Sequence, residues 1–363
     1  MSETIDCAVI GGSVYASLFS YLKMKDARNV AHIDLGKESF KGFRPQFLGA
    51  IEIEFIKQIG KEFDLPPLKG VEEYLTKRPT NLVTSKQIIR AGRTIKENYI
   101  ELLRKFPKIF YDKNVSEKLL NIDHSAEVFE KEYLKYIKNL AKNICWYREH
   151  QNFNIEDFLN GAPSLIKDVF LYLRSFIPDS GKRQREDWET LNIFCLFQFF
   201  YQSKYGQYET PLSLFYGLIA LFSPAYEIDE SKLSADIDCY FKKNGGWLKK
   251  TGVNNVIFEN NKPWAVELSC YEGIMTPIQI YFVGGFQNYS SNVHFVKYKK
   301  SLRSISAKFK LHLKNDNKKY VESLSGENYI YGPIDLAGSH MPLLEFKFLD
   351  SKYLHVEIYV LDS

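Results

Sequence analysis

The first 35 residues carry a pattern that matches few folds. An apolar run at residues 5–10 leads directly into three small residues that we call the glycine turn (Gly11, Gly12 and Ser13). Residues 14–24 then place apolar side chains at helical spacing, and a second apolar run at residues 30–35 has Asp34 near its end. The order strand, tight turn, helix, strand predicts a βαβ unit with two parallel strands.

The glycine turn has the spacing of the dinucleotide-binding pattern GxGxxG, whose three positions are Gly11, Ser13 and Ala16 in this chain. In that pattern the first glycine permits the tight turn, the second lets the backbone approach a pyrophosphate, and the third permits close helix packing. Ser13 therefore places a side chain at the position of closest approach, and the alternative is that its hydroxyl itself bonds the phosphate. Asp34 follows Gly11 by 23 residues, near the roughly 20 expected for an acid that binds a ribose hydroxyl.

These positions predict a dinucleotide-type unit with candidate cofactor-binding residues Gly11, Gly12, Ser13, Ala16 and Asp34. The alternative is an unrelated strand–helix turn in which the two glycines serve only the backbone.

Charge and cysteine content weigh against several classes of protein. The 48 basic and 44 acidic residues leave a net charge of +4, too small over 363 residues to predict nucleic-acid binding. The five cysteines have no CxxC spacing, so we expect a reducing, cytoplasmic location rather than a disulfide framework. The N-terminus lacks a signal-peptide pattern. Neither apolar stretch, residues 191–201 or 211–222, reaches the roughly 18–20 residues that span a bilayer, so no transmembrane segment is expected.

Motifs for metal binding or nucleophilic catalysis do not occur. The seven histidines are isolated from one another and form no HExxH or similar pair, so no metal site is predicted. His32, in the second apolar run, is expected to face inward as a hydrogen-bonded structural histidine. Because neither a GxSxG motif nor a Walker loop is present, hydrolysis and phosphoryl transfer have no candidate residue. We assign no catalytic residue.

After the βαβ unit, helical patterns dominate to about residue 222 and strand patterns follow residue 246. Predicted helices cover residues 52–63, 96–106, 125–144, 155–176, 187–205 and 230–242, with a β excursion at residues 82–93. Predicted strands cover residues 253–259, 263–268 and 278–283, and then 294–298, 304–312 and 353–361 as antiparallel strands.

Segments spread over residues 5–285 follow the motif order of one group of protein families. AVIGGSVYASLFSYLK, NVAHIDLG and KGFR come first, FLGAIEIEFIKQIGKEFDL and IIRAGRTIKENYIELLRKFP follow, and NGGWLKKTGVNNVIFENNKPWAVEL comes last. These segments resemble the phytoene desaturases, the flavin amine oxidases and their non-catalytic relatives, the Rab GDP-dissociation inhibitors and escort proteins.

The resemblance implies a fold and further site residues. In it, Gly42 and Arg44 match a GGR-like turn after the ribose-binding acid, Val253 matches a valine on the adenine side, and FAD is the cofactor. The implied fold class is α/β, with an FAD/NAD(P)-binding Rossmann-like domain and a second, mixed helical and antiparallel-sheet substrate-type domain. The first domain is expected at residues 1–50 and 231–290, and the second at residues 51–230 and 291–363.

One segment of those families has no counterpart here. Their last segment has a Gly-Asp or Gly-Ala turn at a helix N-terminus and closes over the flavin, whereas Gly338, Ser339 and His340 lead into the strand-like MPLLEFKFLD. This difference and Ser13 favour a degenerate flavoprotein fold that acts in binding or assembly. Its partner would be a client protein or a second subunit that supplies the missing segment.

The alternative function is an active FAD-dependent oxidoreductase, similar to a desaturase or amine oxidase, acting on an apolar small molecule. Gly11, Ala16, Asp34 and Arg44 favour this alternative because they retain the family pattern. The sequence leaves both functions open.

Overall fold

The structure is a computed structural model, and it describes residues 5–27, 29–35, 48–83, 88–106, 120–150, 155–174, 211–260, 262–269, 273–283, 302–310, 324, 327–331, 343–348 and 353–361. The chain forms two compact units. Unit 1 comprises Met1–Arg44, Ile56–Leu75 and Ile228–Lys297, and unit 2 comprises Pro45–Phe55, Thr76–Glu227 and Tyr298–Ser363.

The α-helices, numbered in chain order, are α1 (Val14–Lys23), α2 (Ala50–Glu62), α3 (Pro66–Lys69), α4 (Ile95–Lys105), α5 (Ile122–His150), α6 (Ile155–Leu159), α7 (Ser164–Arg174), α8 (Pro211–Phe222) and α9 (Glu230–Lys243). A 3₁₀ helix covers Val71–Tyr74.

The strands are β1 (Cys7–Ile10), β2 (Val30–Asp34), β3 (Leu75–Lys77), β4 (Thr80–Val83), β5 (Ile88–Ala91), β6 (Tyr226–Ile228), β7 (Trp247–Lys250), β8 (Val253–Glu259), β9 (Lys262–Leu268), β10 (Ile274–Met275), β11 (Gln279–Phe282), β12 (Leu302–Lys310), β13 (Asn328–Tyr331), β14 (Leu343–Phe348) and β15 (Tyr353–Leu361).

Unit 1 is built on a parallel sheet with the strand order β11-β1-β2-β7. Cys7 of β1 lies opposite both Gln279 of β11 and Val30 of β2, and β7 pairs in parallel with the other side of β2. Successive side chains of a strand point to opposite faces of a sheet, and every residue of β1 is buried. Both faces of the sheet are therefore covered, as is typical of parallel sheets.

Helices cover one face of this sheet and an antiparallel sheet covers the other. On the helical face, α1 and α9 contribute to a cluster formed by Cys7, Val9, Ala16, Val30 and Phe241. On the opposite face, the antiparallel sheet β10-β9-β8 contributes Val266, Leu268 and Met275 to a cluster with Ala8, Ile10, Ala31 and Ile33. Unit 1 thus has three layers.

Residues next to α9 in the sequence determine where the helix begins and ends. Asp229 is its N-cap, and the Asp229 carboxylate accepts hydrogen bonds from the backbone N–H groups of Ser231 and Lys232. After the helix, Gly245 has a φ of +92°, a backbone conformation that residues other than glycine rarely adopt. A Cβ at Gly246 would lie 2.4 Å from ring carbons of Phe241, so glycine is required there for the chain to turn directly into β7.

Unit 2 combines helices with a six-stranded sheet of order β12-β15-β14-β13-β4-β5. Neighbouring strands run antiparallel except for β13 and β4, which are parallel. Its helices pack through aromatic side chains, among them the fully buried Tyr133, Phe158, Phe170, Phe215 and Phe222. The predicted fold class, a Rossmann-like α/β domain with a second domain of mixed helices and antiparallel sheet, is confirmed.

Several element boundaries differ from the prediction. The helix expected at residues 155–176 is divided into α6 and α7, because Gly161 has a φ of +78° and Pro163 cannot donate a backbone hydrogen bond. The β excursion expected at residues 82–93 contains the end of β4 and the whole of β5, two strands that pair antiparallel. Strand β7 was missed because its four residues, WLKK, are too short and too polar to show a pattern. The elements expected at residues 187–205 and 294–298 lie outside the described residues.

The predicted domain boundaries put residues 51–75 in the second domain, whereas Ile56–Leu75 belongs to unit 1. The reason is packing, since Leu65, Leu68 and Tyr74 form a cluster with Leu233 and Ile237 of α9. The assignment of residues 1–50 and 231–290 to dinucleotide binding stays a prediction.

Candidate functional site

The candidate site lies at the carboxyl ends of β1 and β2. Ile10, the last residue of β1, is opposite Ile33, so the glycine turn begins level with Asp34 at the end of β2. The Gly11 N–H donates a hydrogen bond of 3.0 Å to the Ile33 carbonyl, which extends the ladder by one residue. The carboxyl edge of a parallel sheet is where ligands bind in open α/β folds.

Gly11 is required by packing. A Cβ at this position would lie 2.2 Å from the carbonyl oxygen of Val283 and 2.9 Å from the Cβ of Ala16. Val283 follows β11 and its N–H donates to the Ile10 carbonyl, so the glycine turn is packed against the end of the neighbouring strand. The first and third positions of the predicted pattern therefore bring strand, helix and turn close together.

Ser13 is the N-cap of α1. Its backbone is extended, with φ −122° and ψ 163°, and its Oγ accepts a hydrogen bond of 3.4 Å from the Ala16 N–H. The Ser13 carbonyl also accepts from the Ala16 and Ser17 N–H groups. Ser13 is buried, whereas Gly12 is half-buried. The serine hydroxyl thus lies at the start of the helix and bonds one of its N–H groups, in the region where a pyrophosphate accepts hydrogen bonds in dinucleotide-binding turns.

Asp34 and Val253 lie at the same edge of the sheet. The Asp34 carbonyl accepts a hydrogen bond of 3.2 Å from the Thr251 N–H, in the turn between β7 and β8. Val253 opens β8 and packs against the cluster that contains Ile10 and Ile33. Gly42 and Arg44, the other two predicted site residues, lie outside the described residues.

Sequence reasoning missed a polar contact directly behind the glycine turn. His32 Nε2 lies 3.1 Å from the Gly11 carbonyl oxygen, and His32 Nδ1 lies 3.3 Å from Oδ1 of Asp238 on α9. Both residues are buried. The inward orientation expected for His32 is confirmed, but only its Nε2 has a hydrogen-bond partner, because the Nδ1 contact lacks hydrogen-bond geometry.

Serine hydroxyls of α1 and α9 form further polar contacts, which we call the polar seam. The hydroxyls of Ser17 and Ser234 lie 2.7 Å apart, and the buried Ser20 hydroxyl donates to the Ala16 carbonyl. A sequence signal for the seam exists in α9, where Ser234 and Asp238 are four residues apart, beside the apolar stripe of the helix.

The thiol of Cys7 faces the same layer from β1. Burial raises the pKa of Cys7, nearby Lys23 lowers it by a smaller amount, and Asp6 adds to the increase. The thiol is therefore protonated at neutral pH and behaves as a small apolar side chain.

The residues at this edge fit the backbone of a dinucleotide turn but not the closest approach of its pyrophosphate. Gly11 and Ala16 supply the packing that the turn needs, and Asp34 ends the second strand as a ribose-binding acid would. Ser13, however, fills the second position with a side chain that caps the helix. The hydroxyl bonds one of the N–H groups at the start of α1, that of Ala16, which also donates to the Ser13 carbonyl at 2.9 Å.

The described ranges contain neither a cluster of metal-ligating side chains nor a helix that could span a membrane. No group of three or more histidine, cysteine, aspartate or glutamate side chains there is arranged to hold a metal ion. In the same part of the chain, no helix combines the length and the apolar character that crossing a membrane requires.

No protein-family model matches the sequence, and no curated protein matches it significantly. Among solved structures, the chain is similar to a Rab GDI from Plasmodium falciparum, with 12% sequence identity, a TM-score of 0.46, and coverage of 100% of this chain and 84% of that one. It is also similar to a tryptophan 6-halogenase from Streptomyces toxytricini, with 12% identity, a TM-score of 0.43, and coverage of 99% and 58%.

A third similar structure is a geranylgeranyl bacteriochlorophyll reductase-like protein from Thermoplasma acidophilum, with 10% identity, a TM-score of 0.41, and coverage of 98% and 56%. The chain thus spans less than three fifths of the last two proteins. Because all three TM-scores are below 0.5, no function follows from these similarities. The fold rests on the strand order and packing of the chain itself, which are those of a Rossmann-like α/β unit joined to a second unit of helices and mainly antiparallel sheet.

Proposed function

We propose that this chain uses a flavoprotein-type fold for binding or assembly with a protein partner, and not for redox catalysis. The observation that carries the proposal is the N-cap role of Ser13, whose buried hydroxyl accepts a hydrogen bond from the Ala16 N–H. A pyrophosphate at this position needs the same helix start and a close approach to the backbone. The Ser13 side chain stands at the position of close approach, and its hydroxyl already bonds one N–H group of the helix start.

Exposed apolar side chains in unit 1 support a protein partner. Trp247 of β7, Trp264 of β9 and Ile274 of β10 are exposed by 44%, 49% and 61%, and Ile278, just before β11, is exposed by 73%. Large apolar side chains at the surface are ones that a protein partner would cover on binding.

The second candidate function is an FAD-dependent oxidoreductase acting on an apolar substrate. It is favoured by the position of Asp34, which ends β2 level with the glycine turn, as an acid that binds adenosine ribose would. If FAD binds, the isoalloxazine supplies the redox chemistry. In that case Asp34 would accept a ribose hydrogen bond, and the start of α1 would face the pyrophosphate.

The visible absorption spectrum of the purified protein, recorded before and after addition of FAD, separates the two functions. We expect no flavin band in the purified protein and no saturable spectral change on titration with FAD. The matched variant is Asp34→Ala, which should remove any binding that uses the ribose site and leave non-specific binding unchanged. Stoichiometric FAD that is lost in Asp34→Ala and reduced by an added apolar substrate would refute the proposal and establish the second candidate.

A further inference from the structure

We propose that the edge strand β12 of unit 2 binds an extended acidic segment of a protein partner as an added β-strand. The inference rests on the proposed function, because it gives that function a surface and a partner chemistry. It involves neither the glycine turn nor a flavin, so the peptide experiment below and the FAD titration above can fail separately.

Strand β12 stands at one end of the six-stranded sheet. All nine of its residues pair with β15 without a register shift. Among the residues that the structure describes, no strand pairs with its other side. Strands of globular proteins most often have about five or six residues, and exposed edges are commonly short or interrupted by a bulge. The free side of β12 therefore offers a long, regular row of backbone N–H and C=O groups to another strand.

The charges of β12 are positive and are not balanced within its ladder. Residues 296–310 contain six lysines and arginines and no acid, whereas the net charge of the whole chain is only +4. The three cations of β12 have no acid directly opposite on β15, where the paired residues are Val360, His355 and Tyr353. Because opposite charges on neighbouring strands stabilise a sheet, an acidic strand on the free side would supply the complementary charge.

An apolar row also ends at the free edge. Phe309 of β12, Leu354 of β15 and Phe348 of β14 lie directly opposite one another across the three strands. The ring of Phe348 contacts that of the buried Tyr329 on β13, with ring centres 6.0 Å apart. Leu354 and Phe348 are half-buried, whereas Phe309 is 51% exposed. An apolar side chain on an added strand would cover Phe309 and continue the row.

Two other occupants fit this edge less well. In a second copy of this chain, β12 would bring three further cations and no acid into the same ladder, and like charges on neighbouring strands destabilise a sheet. A membrane surface could balance the charge, but lipid head groups do not present N–H and C=O groups at the spacing of a strand. Since Lys308 and Lys310 alternate with Phe309, the fitting partner segment alternates acidic with apolar residues.

The probe is a labelled, end-capped peptide that matches the nine residues of β12 in length and alternates glutamate with valine. The control peptide has lysine in place of glutamate. Fluorescence anisotropy at physiological ionic strength should show saturable binding of the glutamate peptide. We expect the lysine peptide to bind at least about tenfold more weakly. Absence of binding by the glutamate peptide, or equal binding of both peptides, would overturn the proposal.

Two adjacent proline variants separate strand addition from general charge attraction. Consecutive residues of a strand direct their N–H groups to opposite sides, so one of Ser306→Pro and Ala307→Pro removes a bond to β15 and the other removes a donor on the free side. The first should lower the free energy of unfolding. The second should unfold like the wild type and bind the glutamate peptide at least about tenfold more weakly.

A charge reversal tests the chemistry of the partner. Lys308→Glu/Lys310→Glu should lose the glutamate peptide and gain the lysine peptide. Lys135→Glu/Lys138→Glu, at two exposed lysines of α5, is the matched control, because it changes the net charge by the same amount elsewhere in unit 2. This control should bind both peptides as the wild type does.

Amide hydrogen exchange shows whether the peptide joins the sheet. Bonds to β15 should protect every second amide of β12 in the free protein, and the peptide should slow exchange of the intervening amides by roughly tenfold or more. Intervening amides that stay unprotected, or peptide binding lost in the charge reversal but in neither proline variant, would contradict strand addition. Vesicles of phosphatidylcholine and phosphatidylserine that bind the protein when the glutamate peptide does not would assign the edge to a membrane instead.

Discussion

At the residue scale, the Ser13 hydroxyl caps the start of α1. The Ser13 Oγ accepts a long hydrogen bond of 3.4 Å from the Ala16 N–H. Ser13 stands at the second glycine position of the dinucleotide pattern. Replacement of a serine N-cap by alanine typically costs about 0.5–2 kcal/mol, whereas replacement by glycine costs only a few tenths. The two substitutions therefore separate helix capping from steric access.

We expect Ser13→Gly to leave the free energy of unfolding nearly unchanged and to make FAD binding measurable where the wild type shows none, because it restores close backbone approach. Ser13→Ala should destabilise the protein by about 0.5–1 kcal/mol, near the low end for caps because the hydrogen bond is long, and should gain less affinity. Urea unfolding and FAD fluorescence titration provide the two readouts. A Ser13→Gly variant that binds FAD no better than the wild type would show that the serine side chain is not the obstacle.

The same scale shows what the sequence could and could not predict about the site. Gly11, Ala16 and Asp34 were identifiable because a tight turn and a sheet edge impose spacings that appear in the sequence. Asp238 was not, since its contact with His32 joins residues far apart in the chain, and a single acid in an amphipathic helix is normally solvated.

At the element scale, α4 begins with a complete capping box. Thr94 Oγ1 accepts from the Glu97 N–H, and the Glu97 carboxylate accepts from the Thr94 N–H at 3.0 Å. These bonds to the Thr94 backbone N–H and hydroxyl lower the pKa of Glu97. A carboxyl with a lowered pKa in the folded state stabilises the protein above its unfolded pKa, and this contribution is lost as the pH falls through the folded pKa.

Thr94→Ala should reduce the free energy of unfolding by about 1 kcal/mol at neutral pH, because it leaves one backbone N–H of α4 without its acceptor. The difference from the wild type should shrink in acid, where protonated Glu97 no longer supports the cap in either protein. Urea unfolding at several pH values measures both effects, with Thr94→Ser as the control that keeps the hydroxyl. A Thr94→Ala deficit that persists unchanged in acid would argue against this pH linkage.

Two glycines of unit 2 have positive φ but differ in their surroundings. At Gly92, φ is +68° and a Cβ would lie 2.8 Å from the Cβ of Ala225 and 3.0 Å from the Arg78 carbonyl oxygen. At Gly161, φ is +78° and no atom lies within 4 Å of such a Cβ. Alanine at Gly161 therefore tests backbone strain alone, whereas alanine at Gly92 adds steric overlap.

Gly161→Ala should cost roughly 1–2 kcal/mol from left-handed backbone strain. Gly92→Ala should cost more, by roughly a further 1–3 kcal/mol, because the hairpin β4–β5 must shift away from Ala225. Thermal unfolding of both variants gives the comparison. Equal losses would mean that the region around Gly92 relaxes to accept the methyl group.

The elements also show where sequence patterns lose information. Long periodic helices and buried strands were predicted in type, because their burial imposes a repeat of 3.6 or 2 residues. Strand β7 was not, because four residues with two lysines at an edge of the sheet have no such repeat. Its position follows from the glycines at 245 and 246, which turn the chain out of α9.

For the whole molecule, the proposed function predicts a complex. Protein purified from its native cell and examined by sizing and mass analysis should co-elute with a second protein or a second copy of this chain. Exposed tryptophans at positions 247 and 264 make tryptophan fluorescence a second readout, which should shift to shorter wavelength when the partner covers them. A monomer with stoichiometric, reducible FAD would contradict this expectation.

The glycine turn also has a consequence for biosynthesis. It packs against Val283, and β1 pairs with β11 although about 270 residues separate Cys7 from Gln279. A ribosome adding about 5–20 residues per second needs on the order of 15–55 s to bridge that interval. Throughout that time one edge of β1 has no strand beside it, and an unpaired apolar strand is prone to aggregate. Nascent chains arrested before β11 should therefore crosslink to chaperones through β1, and chains arrested well after residue 283 should not.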